Sequence, residues 1–296
     1  MKKIIVVTGG AGFVGSNLIL RLLKISNFKI ISLDNYSSGY KKNNISNSRV
    51  KYIIGHTKNI SKHLSKYSKK IHTIFHFGEF SRIYQSFLKL DECLESNTIG
   101  TNAVFKFCLI NKIKLVYSAT SASLGNINNK NLSPYAFTKA KNLELLDNLK
   151  KWYKFKFEVI YFYNVYGPNQ ISKGEMATVI GIFENCYKNK KPLTVVKPGS
   201  QTRRFTHIFD TVDTCIYAWK KNKCKHYSIT NNKIYSILEV AKMFKTKIKY
   251  LPPRKGERYA SVLTKISLSN PIHKMYGKIK LKDYISSVTN KPSLQK

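Results

Sequence analysis

The segment Thr8-Gly9-Gly10-Ala11-Gly12-Phe13-Val14-Gly15 constrains the fold more than any other part of the chain. It follows a short β-branched run over residues 4–7, read as a buried strand. It opens a stretch over residues 15–24 in which Val14, Leu18 and Leu22 fall on one helical face. Glycines at Gly10, Gly12 and Gly15 permit a tight turn and let backbone N–H groups approach an anion, whose charge the helix N-terminus stabilises. That spacing alone recurs by chance. Here Asp34 closes the next apolar run, about 20 residues further on, where a carboxylate accepts hydrogen bonds from ribose hydroxyls. The two features together predict a dinucleotide. A carboxylate at that point repels a 2′-phosphate, so NAD is favoured over NADP.

Strands and helices continue to alternate. Strands are expected over residues 29–33, 50–54, 71–77, 115–118 and 157–162, with a polar loop over 35–48. Helices are expected over 88–111, burying Leu88, Cys93, Leu94, Val104, Phe105 and Cys108, and over 135–153. This β-α-β order predicts an α/β fold with a doubly wound parallel sheet. Beyond Gly167 the rhythm loosens. We therefore expect a dinucleotide-binding domain over residues 1–165 and a smaller, mainly substrate-binding lobe over 166–296, with segments returning to the sheet.

Composition narrows the class. A chain of 296 residues can bury a full core without disulfide or metal staples. Lys and Arg outnumber Asp and Glu 52 to 15, a formal net charge of +37. Such an excess is compatible with nucleic acid, a membrane surface or an anionic substrate. The lysines run through the whole chain among Asn and Ile, with no basic block and no basic amphipathic helix. The excess reads as compositional drift that would also attract a doubly charged substrate, and a nucleic-acid partner is disfavoured. Cys93, Cys108, Cys186, Cys215 and Cys224 are scattered with no C-x-x-C pair, the pattern of reduced thiols in a cytoplasmic protein. The apolar run after Lys3 is too short for a secretory segment, and no segment reaches the length of a membrane span. His207, His226 and His273 lack ligand spacing and read as structural, so no metal is expected.

A second constellation is Tyr135-Ala136-Phe137-Thr138-Lys139. On a helix, positions i and i+4 share a face. A cation beside a tyrosine favours the phenolate and lets it act as a base nearer neutral pH. The pattern alone is common; its position is informative. A strand and a hydroxyl cluster over residues 118–123 precede it, which puts hydroxyls at the C-terminal edge of an open sheet, where ligands bind.

In this order the motifs resemble the extended short-chain dehydrogenases/reductases, with a Rossmann-type sheet, and within them the NAD-dependent nucleotide-sugar epimerase/dehydratase group. The resemblance covers most of the chain. Beside the glycine loop it rests on Leu33-Asp34-Asn35 with Ser37 and Gly39, on His76-Phe77-Gly78, and on Asn97 with Gly100-Thr101. It continues through Val116-Tyr117-Ser118-Ala119-Thr120 to Gly125, Tyr135 with Lys139, Asn164-Val165-Tyr166-Gly167-Pro168, Gln201-Thr202-Arg203, and Pro253-Arg254-Lys255-Gly256-Glu257.

The resemblance implies NAD held by Gly9, Gly12, Phe13, Val14, Gly15, Asp34, Asn35, Ser37, Gly39, Phe77, Gly78, Asn97, Ser118 and Tyr163, with Tyr135 and Lys139. It implies Thr120, Tyr135 and Lys139 as the catalytic set. Tyr135 takes the proton of the sugar 4-hydroxyl as hydride leaves C4 for NAD, and Thr120 bonds that oxygen. Lys139 holds the nicotinamide ribose and depresses the Tyr135 pKa. In an epimerase the 4-keto sugar then turns and hydride returns to its other face. Substrate contacts are expected from Thr120, Ser121 and Asn164, and from Arg203 and Arg254 at the nucleotide phosphates. Glu79 and Arg82 lie near the same place and either contact the sugar or pair with each other.

Four departures stand out. The dehydratase branch carries Asp-Glu directly after the catalytic hydroxyl, where this chain has Ser121-Ala122, which argues for epimerisation. Gly55-His56-Thr57 lacks the usual Asp near the adenine. Tyr161 replaces a common Arg, and Arg204 replaces an Asp. The expectation is a UDP-sugar 4-epimerase (glucose/galactose or the N-acetyl forms), homodimeric through helices 88–111 and 135–153. The alternatives are another nucleotide-sugar reductase, decarboxylase or dehydratase, or a non-catalytic NAD- or nucleic-acid-binding scaffold.

Overall fold

Strand β1 (Ile4–Thr8) is buried at every residue, and its side chains divide between two cores. The computed structural model describes residues 3–124, 133–253 and 272–290. After β1 come helix α1 (Phe13–Ile25), β2 (Lys29–Asp34), β3 (Val50–Ile54) and β4 (Ile71–His76). Helix α2 (Thr101–Ile110), β5 (Lys114–Thr120), α3 (Pro134–Tyr153) and β6 (Phe157–Phe162) follow. The remainder contributes α4 (Val179–Lys188), α5 (Ile208–Lys221), β7 (His226–Thr230), β8 (Ile272–Tyr276) and α6 (Leu281–Thr289). The eight strands form one sheet in the order β8-β7-β6-β5-β4-β1-β2-β3, and every pair is parallel. This is the expected doubly wound sheet, extended by two strands from beyond residue 166.

Alternation along the strands builds three layers. Ile4, Val6, Ile31 and Leu33 face α2 and α3, where they meet Val104, Phe105, Leu143 and Leu146. Ile5, Val7, Ile30 and Phe75 face α1 and α5, against Leu18, Leu22, Val212 and Cys215. Full burial of each large aliphatic chain stabilises by about 1.5–3 kcal/mol. A third core around Tyr166, Ile180, Phe183, Val195, Phe205 and Phe244 belongs to the later part of the chain.

The expected helix over 88–111 is corrected. It is broken at Lys89, and a π turn, Glu95–Gly100, separates Leu90–Leu94 from α2. The wider turn resets the helical phase. Cys93, Val104, Phe105 and Cys108 are buried as expected, but Leu88 is 64% exposed and Leu94 37%. All five cysteines are free thiols. No helix among the described residues is long and apolar enough to cross a membrane.

Candidate active site

The strand order reverses between β1 and β4, and the loops after these strands open a crevice at the C-terminal edge of the sheet. Gly9 turns the chain there at φ +70°, and a Cβ on it would lie 2.8 Å from the Gly78 backbone nitrogen. A Cβ on Gly15 would lie 2.2 Å from the Gly9 carbonyl. Both positions therefore require glycine. No side chain caps the first turn of α1, and that turn carries no acidic residue. Its N–H groups face an anion-binding position. Asp34 sits at the end of β2, accepting from Ala11 N (2.9 Å) and, through its other oxygen, from Tyr36 N (2.7 Å). Each carboxylate oxygen keeps a second acceptor position for a ribose hydroxyl. Burial raises the Asp34 pKa, and the two backbone bonds oppose the shift. This cradle fits a dinucleotide.

One continuous cavity of about 640 Å³ runs from this cradle to the catalytic candidates. Gly9, Gly12, Phe13, Val14, Gly15, Asp34, Asn35, Ser37, Phe77 and Gly78 line it at one end; Glu79, Arg82, Ser118, Thr120, Ser121, Tyr135, Lys139, Asn164 and Arg203 line the rest. Gly55, His56 and Thr57 also line it, so His56 stands where a carboxylate was missed in the sequence. Its Nδ1 accepts from Lys58 N at 3.0 Å, and burial lowers its pKa.

Helix α3 places the catalytic pair. Ser133 caps its first turn by accepting from Ala136 N at 3.1 Å, and Pro134 opens the helix. Tyr135, Lys139 and Asn142 then fall on one buried face. Thr120 ends β5 near Tyr135, and its hydroxyl favours the ionised phenol. The Tyr135 pKa is pushed up to about 12, by burial first; the Thr120 hydroxyl and the Arg82 charge pull it down, and Glu79 pushes it up. The Lys139 ammonium bonds a different partner.

That partner is Glu79. The Lys139 ammonium bonds the Glu79 carboxylate and the Ser118 carbonyl, and sits 4.7 Å from the Tyr117 ring centroid. The other Glu79 oxygen accepts from Thr101 (2.9 Å), Tyr117 (3.0 Å) and Asn142 (3.4 Å). Thr101 also meets His76 Nε2 at 3.0 Å, and His76 Nδ1 meets Thr8 Oγ1 at 2.7 Å. Glu79 and Arg82 do not pair. Arg82 donates to the carbonyls of Met176 and Ser81, and so ties the crossover after β4 to the loop before α4.

Three expected residues lie elsewhere. Gly39 packs against Ala11, because a Cβ there would come within 3.1 Å of Ala11 atoms. Asn97 is fully buried and clamps Phe80 N, Phe80 O and Thr138. Tyr163 is fully buried in the core with Tyr161. None of the three lines the cavity. Arg254 and Gly125 lie outside the described residues. The sequence reading missed Thr8, Thr101, Tyr117 and Asn142. Asn142 carried a signal, since it continues the Tyr135–Lys139 face.

Comparison with known proteins agrees with the class that sheet and site define. Residues 5–231 match the NAD dependent epimerase/dehydratase family. The chain belongs to that family, and NAD is its cofactor. It is 30% identical to ADP-L-glycero-D-manno-heptose-6-epimerase of Brachyspira hyodysenteriae, over 81% of this chain and 80% of that protein. It is 29% identical to dTDP-D-glucose 4,6-dehydratase of Bos taurus, over 81% and 71%. The fold superimposes on UDP-glucose 4-epimerase of Thermotoga maritima with a TM-score of 0.85 at 22% identity, covering 97% of each chain.

Proposed function

We propose that this protein is an NAD-dependent nucleotide-sugar 4-epimerase acting on a UDP-sugar of the glucose/galactose or N-acetyl type. The observation that carries this reading is the convergence of Thr120, Tyr135 and Lys139 on one cavity at the sheet edge, with Ser121-Ala122 directly after Thr120. Bound NAD supplies a reversible hydride acceptor. Tyr135 takes and returns the proton of the sugar 4-hydroxyl, and Thr120 fixes that oxygen. Elimination of water from the sugar needs an acid–base pair beside the ring, and neither residue after Thr120 titrates. In this reading residues 1–165 hold NAD while the lobe over 166–296 holds the nucleotide-sugar, with Asn164, Arg203 and Arg254 toward the nucleotide. The protein is taken to work in the cytoplasm as a homodimer. Exposed Leu90, Leu94 and Phe137 on neighbouring helices support self-association, which sedimentation as a monomer would refute.

The relatives at 29–30% identity are named as a heptose 6-epimerase and a glucose 4,6-dehydratase, so the test is a panel. The NAD-loaded protein is incubated with UDP-, dTDP- and ADP-linked sugars and the products are read by NMR. A 4-epimer is expected. A 4-keto-6-deoxy product would establish dehydration instead, and sugars returned unchanged would sink both.

A further inference from the structure

The Glu79–Lys139 pair sits inside the proton-handling end of the cavity, and the role given to Tyr135 above leaves it unexplained. Both side chains are almost fully buried, 2% and 4% exposed. A lone ammonium or carboxylate in such a place is strongly disfavoured, and the pair persists because every oxygen and proton is matched. Here Glu79 spends one oxygen on Lys139 and the other on three donors from α2, β5 and α3. Lys139 is held from three sides, by Glu79, the Ser118 carbonyl and the Tyr117 ring.

Seen from Tyr135, the Glu79 carboxylate opposes ionisation, and it stands in direct contact with the Lys139 ammonium. The other groups facing this region are Arg82 after β4, Cys93 from Leu90–Leu94, His76 from β4 and Tyr117 from β5. Only Arg82 among them is a cation that favours the phenolate, and it is held by carbonyls and by no carboxylate among the described residues.

We propose that Glu79 is a positioning residue: it holds the Lys139 ammonium against the end of β5 and cancels its charge, and so governs how readily Tyr135 exchanges its proton. The sign is opposite to that of a simple Tyr–Lys couple. In this protein the carboxylate restrains ionisation, and Arg82 and Thr120 assist it. The proposal rests on the reading above only for the importance of Tyr135. It does not depend on which sugar is bound.

The test is the titration of Tyr135 in NAD-loaded protein with ring-labelled tyrosine, followed by NMR, Tyr135→Phe identifying the resonance. Glu79→Gln preserves the shape and an acceptor oxygen but leaves the lysine charge uncancelled. The Tyr135 midpoint should fall by about one pH unit or more, the effect of removing a like charge and leaving a cation unpaired beside the site. The acid limb of the kcat/KM profile should follow it. An unmoved midpoint in folded Glu79→Gln protein overturns the proposal. If that variant does not fold, the double variant Glu79→Gln/Lys139→Gln removes both charges together. Its midpoint should match the parent's, and an upward shift of about one unit would show that Lys139 acted uncancelled. Because no sugar turns over in the titration, failure of the nucleotide-sugar panel leaves this result standing, and the reverse also holds.

Discussion

Each edge of the sheet carries a buried Lys–Glu pair and a buried histidine, and the two sets behave differently. At the C-terminal edge are Lys139, Glu79 and His76. At the N-terminal edge Lys114 opens β5, Glu158 lies beside it on β6 with 3.5 Å between charges, and His226 opens β7. Glu158 is fully buried and Lys114 10% exposed, so burial alone does not separate the pairs. Their remaining partners do. Glu158 accepts from Cys224 N (3.0 Å) and Lys225 N (2.8 Å), and Lys114 donates to the Trp219 carbonyl (2.8 Å). Those are backbone groups of the last turn of α5 and of its connection to β7, and the pair pins that turn. Glu79 instead meets side-chain hydroxyls and an amide, and Lys139 the Ser118 carbonyl and the Tyr117 ring, beside an open cavity. Identical charges thus serve a turn at one edge and, in the proposed reading, proton transfer at the other.

The largest expected effect sharpens that division. Tyr135→Phe should lower turnover by about 10²–10⁴-fold, the usual contribution of a positioned acid–base group, while NAD binding and thermal stability persist. A variant with near-normal turnover would remove the C-terminal edge from the chemistry. Glu158→Ala is the counterpart at the other edge. It orphans Lys114 and two backbone N–H groups, and should cost about 3–5 kcal/mol of stability in denaturant unfolding. The pH dependence of turnover should not move. If it moved as Glu79→Gln is expected to move it, the two edges would not be functionally distinct.

The histidines give the next effect. Burial lowers the pKa of both His76 and His226 from 6.5 to about 4. Below pH 6.5 the unfolded chain takes protons that the folded chain refuses. Stability is therefore fully present above pH 6.5 and is lost as pH falls toward about 4, by about 3 kcal/mol per histidine. His76→Asn should lower the slope of unfolding free energy between pH 6.5 and 5 by one histidine's share, up to about 1.4 kcal/mol per pH unit, while His226, His56 and His207 keep theirs. A slope unchanged by the substitution would mean that His76 is not held neutral by its site.

Much of this was legible in the sequence because period and glycine geometry are local properties. The strands at 50–54 and 157–162 match Val50–Ile54 and Phe157–Phe162, and Tyr135, Lys139 and Thr120 line one cavity. The π turn was not legible, since i→i+5 bonding leaves no pattern in an apolar period and only shifts its phase. Glu79 was visible as an odd carboxylate after β4. Its partner was not, because the pairing joins residues sixty positions apart across packing that no spacing encodes. The same holds for Glu158 and the turn at Cys224.

The smallest expected effect probes the hydroxyl that joins histidine to carboxylate. Thr101 stands between His76 Nε2 and Glu79 Oε1, at 3.0 and 2.9 Å. Thr101→Val keeps the shape of the side chain and leaves each neighbour one hydrogen bond short. A buried polar group left unsatisfied costs about 1–3 kcal/mol. Glu79 retains Tyr117, Asn142 and Lys139, and His76 retains Thr8, so the loss should fall at the lower end, near 1 kcal/mol, read from the shift of the denaturation midpoint. The N-terminal edge has no such bridge, because its carboxylate and histidine bond separate groups: Glu158 the turn, His226 the Tyr161 hydroxyl at 3.1 Å. Combining Thr101→Val with His76→Asn should therefore be less than additive, since both remove the same bridge. Combining Glu158→Ala with a substitution of Tyr161 should be close to additive. Strict additivity in the first pair would mean that His76 and Glu79 are neighbours without being coupled, and the two edges would then differ in their proximity to the cavity alone.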